Sequence, residues 1–147
     1  MRRFTHLIAL IVGSALWLTS CGGSDITLME DVNITSWRED VVLEFNNVKD
    51  NSTYDVDMVL HVSSRYTAQS AQMIVSVTTP DSMHTSEIVT IHTPITKHTP
   101  EASSRDIVIP YRKSVVMSKS GLYHYTMRPS YPLEGVEAAG LTFKIQQ

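Results

Sequence analysis

The chain has 147 residues, 42% of them hydrophobic and 18% charged, with 12 Lys and Arg against 15 Asp and Glu for a net charge of −3. That length suits one domain with its own core rather than two, and a mildly acidic surface gives no electrostatic reason to expect nucleic acid as a partner. With Cys21 as the lone cysteine, no internal disulfide can form, so an exported form must be held together by apolar packing.

Arg2 and Arg3 give the chain a basic start, and Leu7 to Leu18 are apolar except at Gly13 and Ser14. This run is too short to cross a bilayer as a helix, which takes about 20 apolar residues. A basic start, a short apolar run and small exit residues make a secretory signal peptide instead. Leu18-Thr19-Ser20-Cys21 resembles the bacterial lipobox, which implies removal of residues 1–20 and lipidation of Cys21 with acyl chains of the palmitate kind. At about 0.8 kcal/mol per buried CH₂, several such chains make an essentially permanent membrane anchor. Cys21 to Asp25 then form the lipidated end and a flexible Gly22-Gly23-Ser24 tether. No aspartate follows Cys21, which favours the outer over the inner membrane as the address in the cell envelope. The expected mature chain carries 10 Lys and Arg against 15 Asp and Glu, a net charge of −5.

From residue 26 onward, apolar and polar residues alternate with a period of two rather than 3.6. Ile26, Leu28, Val32 and Ile34 make a ragged first strand, and Val41, Leu43 and Phe45 face one way with Glu44 and Asn46 the other. Asn46-Asn47 and Asp50-Asn51-Ser52 are turn chemistry. Tyr54, Val56, Met58, Leu60 and Val62 give the clearest alternation, opposed by Asp55, Asp57 and His61, which predicts one buried and one wet face. Met73, Val75 and Val77 continue the pattern to a turn at Thr79-Pro80-Asp81-Ser82, and a short strand over 88–91 precedes a loop with Pro94 and Pro100. A strand over 107–109 is expected to stop at Pro110. Tyr123, Tyr125 and Met127 make another, Pro129 and Pro132 mark a loop, a short helix is expected near 134–139, and Leu141, Phe143 and Ile145 close the chain. Strands without intervening helices predict an all-β fold, a single antiparallel β-sandwich of about 7–9 strands over 26–147, jelly-roll or Ig-like.

Chemistry-bearing motifs are sparse. His61, His84, His92, His98 and His124 lack the spacing of a zinc site and read as solvated loop side chains. Asp55 and Asp57 share a strand face at a spacing that glycoside hydrolysis can use, but read first as the wet side of a sheet. No nucleophile elbow or phosphate-binding glycine loop is present, so neither catalytic residue, metal nor cofactor is expected. Tyr66, Tyr111 and Tyr131 fall at loops or strand ends, where they could form a sugar-stacking platform. Asp81-Ser82-Met83 resembles the Asp-Ser/Thr-apolar acceptor for O-glycosylation in exported proteins of Bacteroidetes, which makes Ser82 a candidate.

Taken together, the mature chain resembles the gliding-motility lipoprotein GldH family of Bacteroidetes. The likeness rests on Trp37 before Val41-Val42-Leu43-Glu44-Phe45, on Tyr54 and Tyr66 around the alternating strand, and on Gly121-Leu122-Tyr123-His124-Tyr125 followed by Met127-Arg128. Leu133-Glu134-Gly135-Val136 with Gly140-Leu141 completes it. The chain departs from the family at His61, where an arginine is usual, and in the Thr/Pro-rich stretch from His92 to Pro100. The resemblance implies a non-enzymatic outer-membrane lipoprotein that contacts other envelope proteins in a gliding or type IX secretion assembly. A surface glycan-binding module is the alternative, carried by the three tyrosines.

Overall fold

The computed structural model describes residues 24–94 and 104–147, and they contain strands and no helix. The strands are β1 (Ile26–Asp31), β2 (Val41–Asn47), β3 (Ser52–Ser63), β4 (Ser70–Thr78), β5 (His84–His92), β6 (Ser104–Met117), β7 (Gly121–Pro129) and β8 (Val136–Ile145). They form two four-stranded antiparallel sheets packed as a sandwich, in the orders β1-β8-β3-β6 and β2-β7-β4-β5. The pairs β1·β8, β2·β7, β3·β6 and β4·β5 nest inside one another, like a long hairpin rolled up. That order is a jelly roll of eight strands and not an Ig arrangement.

Alternation drives the assembly. In β2, Val41, Leu43 and Phe45 point inward while Val42, Glu44 and Asn46 point out. Facing them across the sandwich, β8 contributes Leu141 and Phe143. Phe45 and Phe143 stack with ring centroids 3.9 Å apart, and Tyr54 meets Phe45 edge-on at 5.2 Å. Burying such a side chain contributes about 1.5–3 kcal/mol, so this aromatic centre holds the sheets together where no disulfide can.

Several expectations give way to neighbours that lie far off in sequence. Asn47 is no turn residue: it ends β2, fully buried, with its Nδ2 donating to the carbonyls of Lys49 (2.9 Å), Met117 (3.3 Å) and Lys119 (2.8 Å). Its Oδ1 accepts the Tyr54 hydroxyl at 3.1 Å, so one amide knots two chain reversals. The strand does not stop at Pro110; β6 runs on to Met117, because on an edge strand a missing N–H breaks no inner ladder. No helix forms over 134–139. Gly135 takes φ +84, with its amide and carbonyl bonded to Ile34 O and from Ser63 N at 2.8 Å each. A β-carbon there would come 2.3 Å from the Tyr66 amide nitrogen.

The face of β3 expected to be wet is only partly so. Asp57 is 4% exposed and Val59 is 6% exposed on the outer side of the sheet. β3 is an inner strand, and its neighbours Thr142 and Pro110 flank Asp57 while Gly140 and Val108 flank Val59.

Candidate functional site

Strands β1 and β2 follow each other in sequence yet end different sheets on the same side of the sandwich. Between them runs an open groove made of two adjoining hollows of about 480 Å³ each, which share Glu30 and Val42. The connection that spreads its walls is built locally. Asn33 Oδ1 accepts from the Thr35 amide at 3.0 Å and starts a turn. Trp37 then enters the core, 0% exposed, with its backbone paired to Leu133 in both directions (2.8 and 3.0 Å). Its indole Nε1 donates to Glu39 O at 2.9 Å, fixing the backbone that leads into β2.

Five carboxylates line this groove: Glu30, Asp31, Glu39, Asp40 and Glu44. Asp40 pairs with Arg128 Nε at 3.3 Å, and Glu44 faces His124 Nδ1 at 3.4 Å. Glu30, Asp31 and Glu39 have no cationic partner among the described residues. Apolar Val42, Leu28 and Met29 lie beside them. Such a surface attracts cationic groups by its field and offers apolar area for what they carry. Sequence reasoning missed it by reading residues 30–44 for strands and turns. The signal was there: five acids in that stretch against one base, Arg38.

The carboxylates singled out from sequence are engaged elsewhere. Asp55 accepts from the Ser114 amide (2.9 Å), Lys113 Nζ (3.1 Å) and Gln146 Nε2 (2.6 Å). The Ser114 amide, and after it Lys113, holds the Asp55 carboxyl below its ordinary value. Asp57 Oδ2 lies 2.7 Å from Lys144 Nζ, and its Oδ1 is buried with no hydrogen-bond partner among the described residues. The bond to Asp57, then the charge of Asp57, pushes the Lys144 ammonium up. Each carboxylate thus has an ammonium partner, Lys113 for Asp55 and Lys144 for Asp57.

Nor are the described histidines loop residues: His61, His84, His92 and His124 sit on strands. His61 lies between Asp106 (Nδ1, 2.6 Å) and Glu137 (Nε2, 3.2 Å). Glu137 reaches it because a register break in β8 leaves that residue unpaired between Val136 and Ala138. His84 Nδ1 meets Thr78 Oγ1 at 3.0 Å. Among the described residues no cluster of three His, Cys, Asp or Glu could hold a metal ion.

The three tyrosines do not share a platform. Tyr66 is a core residue, 2% exposed, whose burial raises its hydroxyl pKa. Tyr111 is half-buried, donates to Glu87 and stacks under Arg112 at 5.3 Å; burial, then Glu87, pushes its hydroxyl up. Only Tyr131 is open, 75% exposed, over a hollow of about 270 Å³ bordered by Ser70, Gln72 and Thr90.

Ser82 sits exposed at the tip of the β4–β5 hairpin with φ 67, its amide bonded to Thr79 O at 2.9 Å. The signal peptide, Cys21, Gly22, Gly23, His98 and Pro100 lie outside the described residues. Compared with protein-family models, with curated proteins and with solved structures, the chain finds no match.

Proposed function

We propose that this chain is a non-enzymatic lipoprotein of the outer membrane, anchored through Cys21, whose sandwich acts by protein–protein contact in a cell-envelope assembly of the gliding or type IX secretion kind. The acidic groove between β1 and β2 carries the reading. Three of its carboxylates have no cationic partner among the described residues, and it opens beside the strand that directly follows the tether. A permanent anchor there holds the groove at a high effective concentration toward envelope proteins. The occupant that its charge and shape suit is an extended segment with alternating basic and apolar side chains. Ser82, exposed at a hairpin tip, is an accessible acceptor for O-glycosylation in the same reading.

A photo-crosslinking side chain at Val42 in living cells tests this. Capture of an envelope protein through a basic segment, abolished by Glu30→Lys with Asp31→Lys, is the expected result. Absence of any captured protein, or capture indifferent to those charge reversals, removes the groove from the function. Intact-mass analysis of membrane-extracted chain checks the anchor: an unmodified thiol at Cys21 would overturn it.

A glycan-binding role is the second reading, and Tyr131 favours it. An open phenol ring beside a small hollow edged by hydroxyl and amide side chains is the kind of surface on which a sugar ring stacks. A glycan array with no signal above that of Tyr131→Ala disposes of it.

A further inference from the structure

Four strands end the two sheets: β1, β2, β5 and β6. An exposed strand edge is a template for pairing with another chain unless something blunts it. β1 and β2 lie against one another across the groove. β6 carries Pro110, Arg112, Lys113, two register breaks and Ser114 at φ 53. β5 has none of these devices. Its nine residues, His84 to His92, hold no Pro, Gly, Lys or Arg and pair with β4 in unbroken register. Its one acid, Glu87, is bonded to Tyr111 and Arg112 of β6.

The hydrogen-bond phase of this edge follows from two bonds. Thr93 N donates to Gln69 O and Thr79 N to Met83 O, each at 2.9 Å, on the same register as the rest of β4·β5. Residues 83 and 93 therefore turn their backbone groups toward β4, and by alternation so do 85, 87, 89 and 91. His84, Ser86, Ile88, Thr90 and His92 turn both N–H and C=O the other way. Those groups have no backbone partner among the described residues.

The sequence of that edge is self-complementary. A two-fold axis at Ile88 sets Ile88 against its own copy, Ser86 against Thr90 and His84 against His92. Every one of these is a hydrogen-bonding position. The sec-butyl groups of Ile88 meet at the axis, hydroxyls meet hydroxyls, and no two carboxylates or two ammonium groups come opposite each other. Ile88 is 66% exposed in the single chain, an apolar β-branched side chain at the centre of an edge with no backbone partner among the described residues.

We infer that β5 is a homodimer interface: two copies of this chain pair antiparallel through β5, centred on Ile88, into one continuous eight-stranded sheet. The geometry is isologous, as two-fold dimers require, and leaves no edge open for further growth on that side. The inference does not rest on the envelope role, since the groove lies at the other end of the sheet.

Site-specific disulfide trapping in membranes carrying the full chain tests the register. At the axis the paired α-carbons lie about 5.5 Å apart, inside the roughly 4.4–6.8 Å that a disulfide spans. Ile88→Cys should give a covalent dimer on mild oxidation. Ser86→Cys should not, because its copy lies four residues along, about 14 Å away. The unsubstituted chain controls for any linkage through Cys21. Ultracentrifugation of the detergent-extracted chain supplies the second measurement: dimer for the natural chain, and at least about a 100-fold weaker association for Ile88→Lys, which puts two ammonium groups at the axis. Unchanged circular dichroism shows that the variant folds. A natural chain that stays monomeric at 100-micromolar order of concentration overturns the inference, as do equal disulfide yields at positions 86 and 88, or dimers that Ile88→Lys leaves intact.

Discussion

Asn47→Ala should be among the most damaging single changes to an uncharged residue in this domain. The side chain is fully buried and its amide makes contacts with three backbone carbonyls and one hydroxyl. Removing it leaves the Tyr54 hydroxyl buried without its acceptor and the Met117 carbonyl without its side-chain donor, while those of Lys49 and Lys119 are nearer to water. An orphaned buried group costs about 1–3 kcal/mol, so the loss should reach roughly 3 kcal/mol, a large share of the about 5–15 kcal/mol that holds a domain together. Urea unfolding followed by tyrosine and tryptophan fluorescence measures it. Two further variants separate the hydrogen bonds from the lost volume. Tyr54→Phe removes one bond and should recover part of the Asn47→Ala penalty, with a coupling energy of about 1 kcal/mol. Asn47→Asp keeps the shape but turns an acceptor toward three carbonyl oxygens, so it should be worse than Ala at neutral pH. A loss below about 1 kcal/mol for Asn47→Ala would refute the reasoning, since it would mean that the freed groups find other partners.

Gly140→Ala should weaken β1 selectively: a β-carbon there would come 1.9 Å from Leu28 O and 2.7 Å from Met29 Cγ. Overpacking typically costs about 1–3 kcal/mol, and amide exchange should show β1 opening while β3 and β7 stay protected; uniform loss of protection would contradict this. Asp55→Asn should flatten the acid limb of stability. The folded Asp55 carboxyl is depressed, so its contribution is present above the unfolded value of about 4 and fades as pH falls through the lower folded value. The natural chain should therefore lose more stability than Asp55→Asn between pH 5 and pH 2, and parallel pH profiles would remove the effect. Phe143→Ala, which breaks the stack on Phe45 and the contacts with Tyr54 and Tyr125, should cost about 3–5 kcal/mol in the same unfolding assay.

The alternating strands were legible because their period reports which face is buried, and β2, β3 and β7 match it residue for residue on the inner side. What alternation does not carry is position across the sheet. Pro110 reads as a strand end only if its neighbours need its amide, and on the edge strand β6 they do not. Asp57 reads as wet only if nothing lies beside it, and on the inner strand β3 it has Thr142 on one side and Pro110 on the other. Asn47 has ordinary turn chemistry as a residue type, but its bonding groups, Met117 O and Lys119 O, are about seventy positions away in the chain. The tyrosines failed as a platform for the same reason. Local punctuation places Tyr66 and Tyr111 at loops or strand ends, while their burial comes from Thr93, Gly135 and Glu87, which the fold brings to them.

The nested order of strands has a consequence for how the two surfaces work together. β1 and β2 end the sheets on one side of the sandwich, and β5 and β6 end them on the other. Pairing through β5 therefore leaves both grooves open and facing away from each other. From β2 of one copy to β2 of the other the continuous sheet spans seven interstrand spacings, about 34 Å at roughly 4.8 Å each. A dimer with two acidic grooves at that separation would bind a partner array bivalently, with the second contact intramolecular. Ile88→Lys should accordingly lower the apparent affinity for a surface densely coated with a basic, apolar-alternating peptide by about 100-fold or more, while leaving affinity for the free peptide unchanged. Equal losses on the surface and in solution would place the damage in the groove itself. No loss on either would mean that the two ends of the sheet act independently.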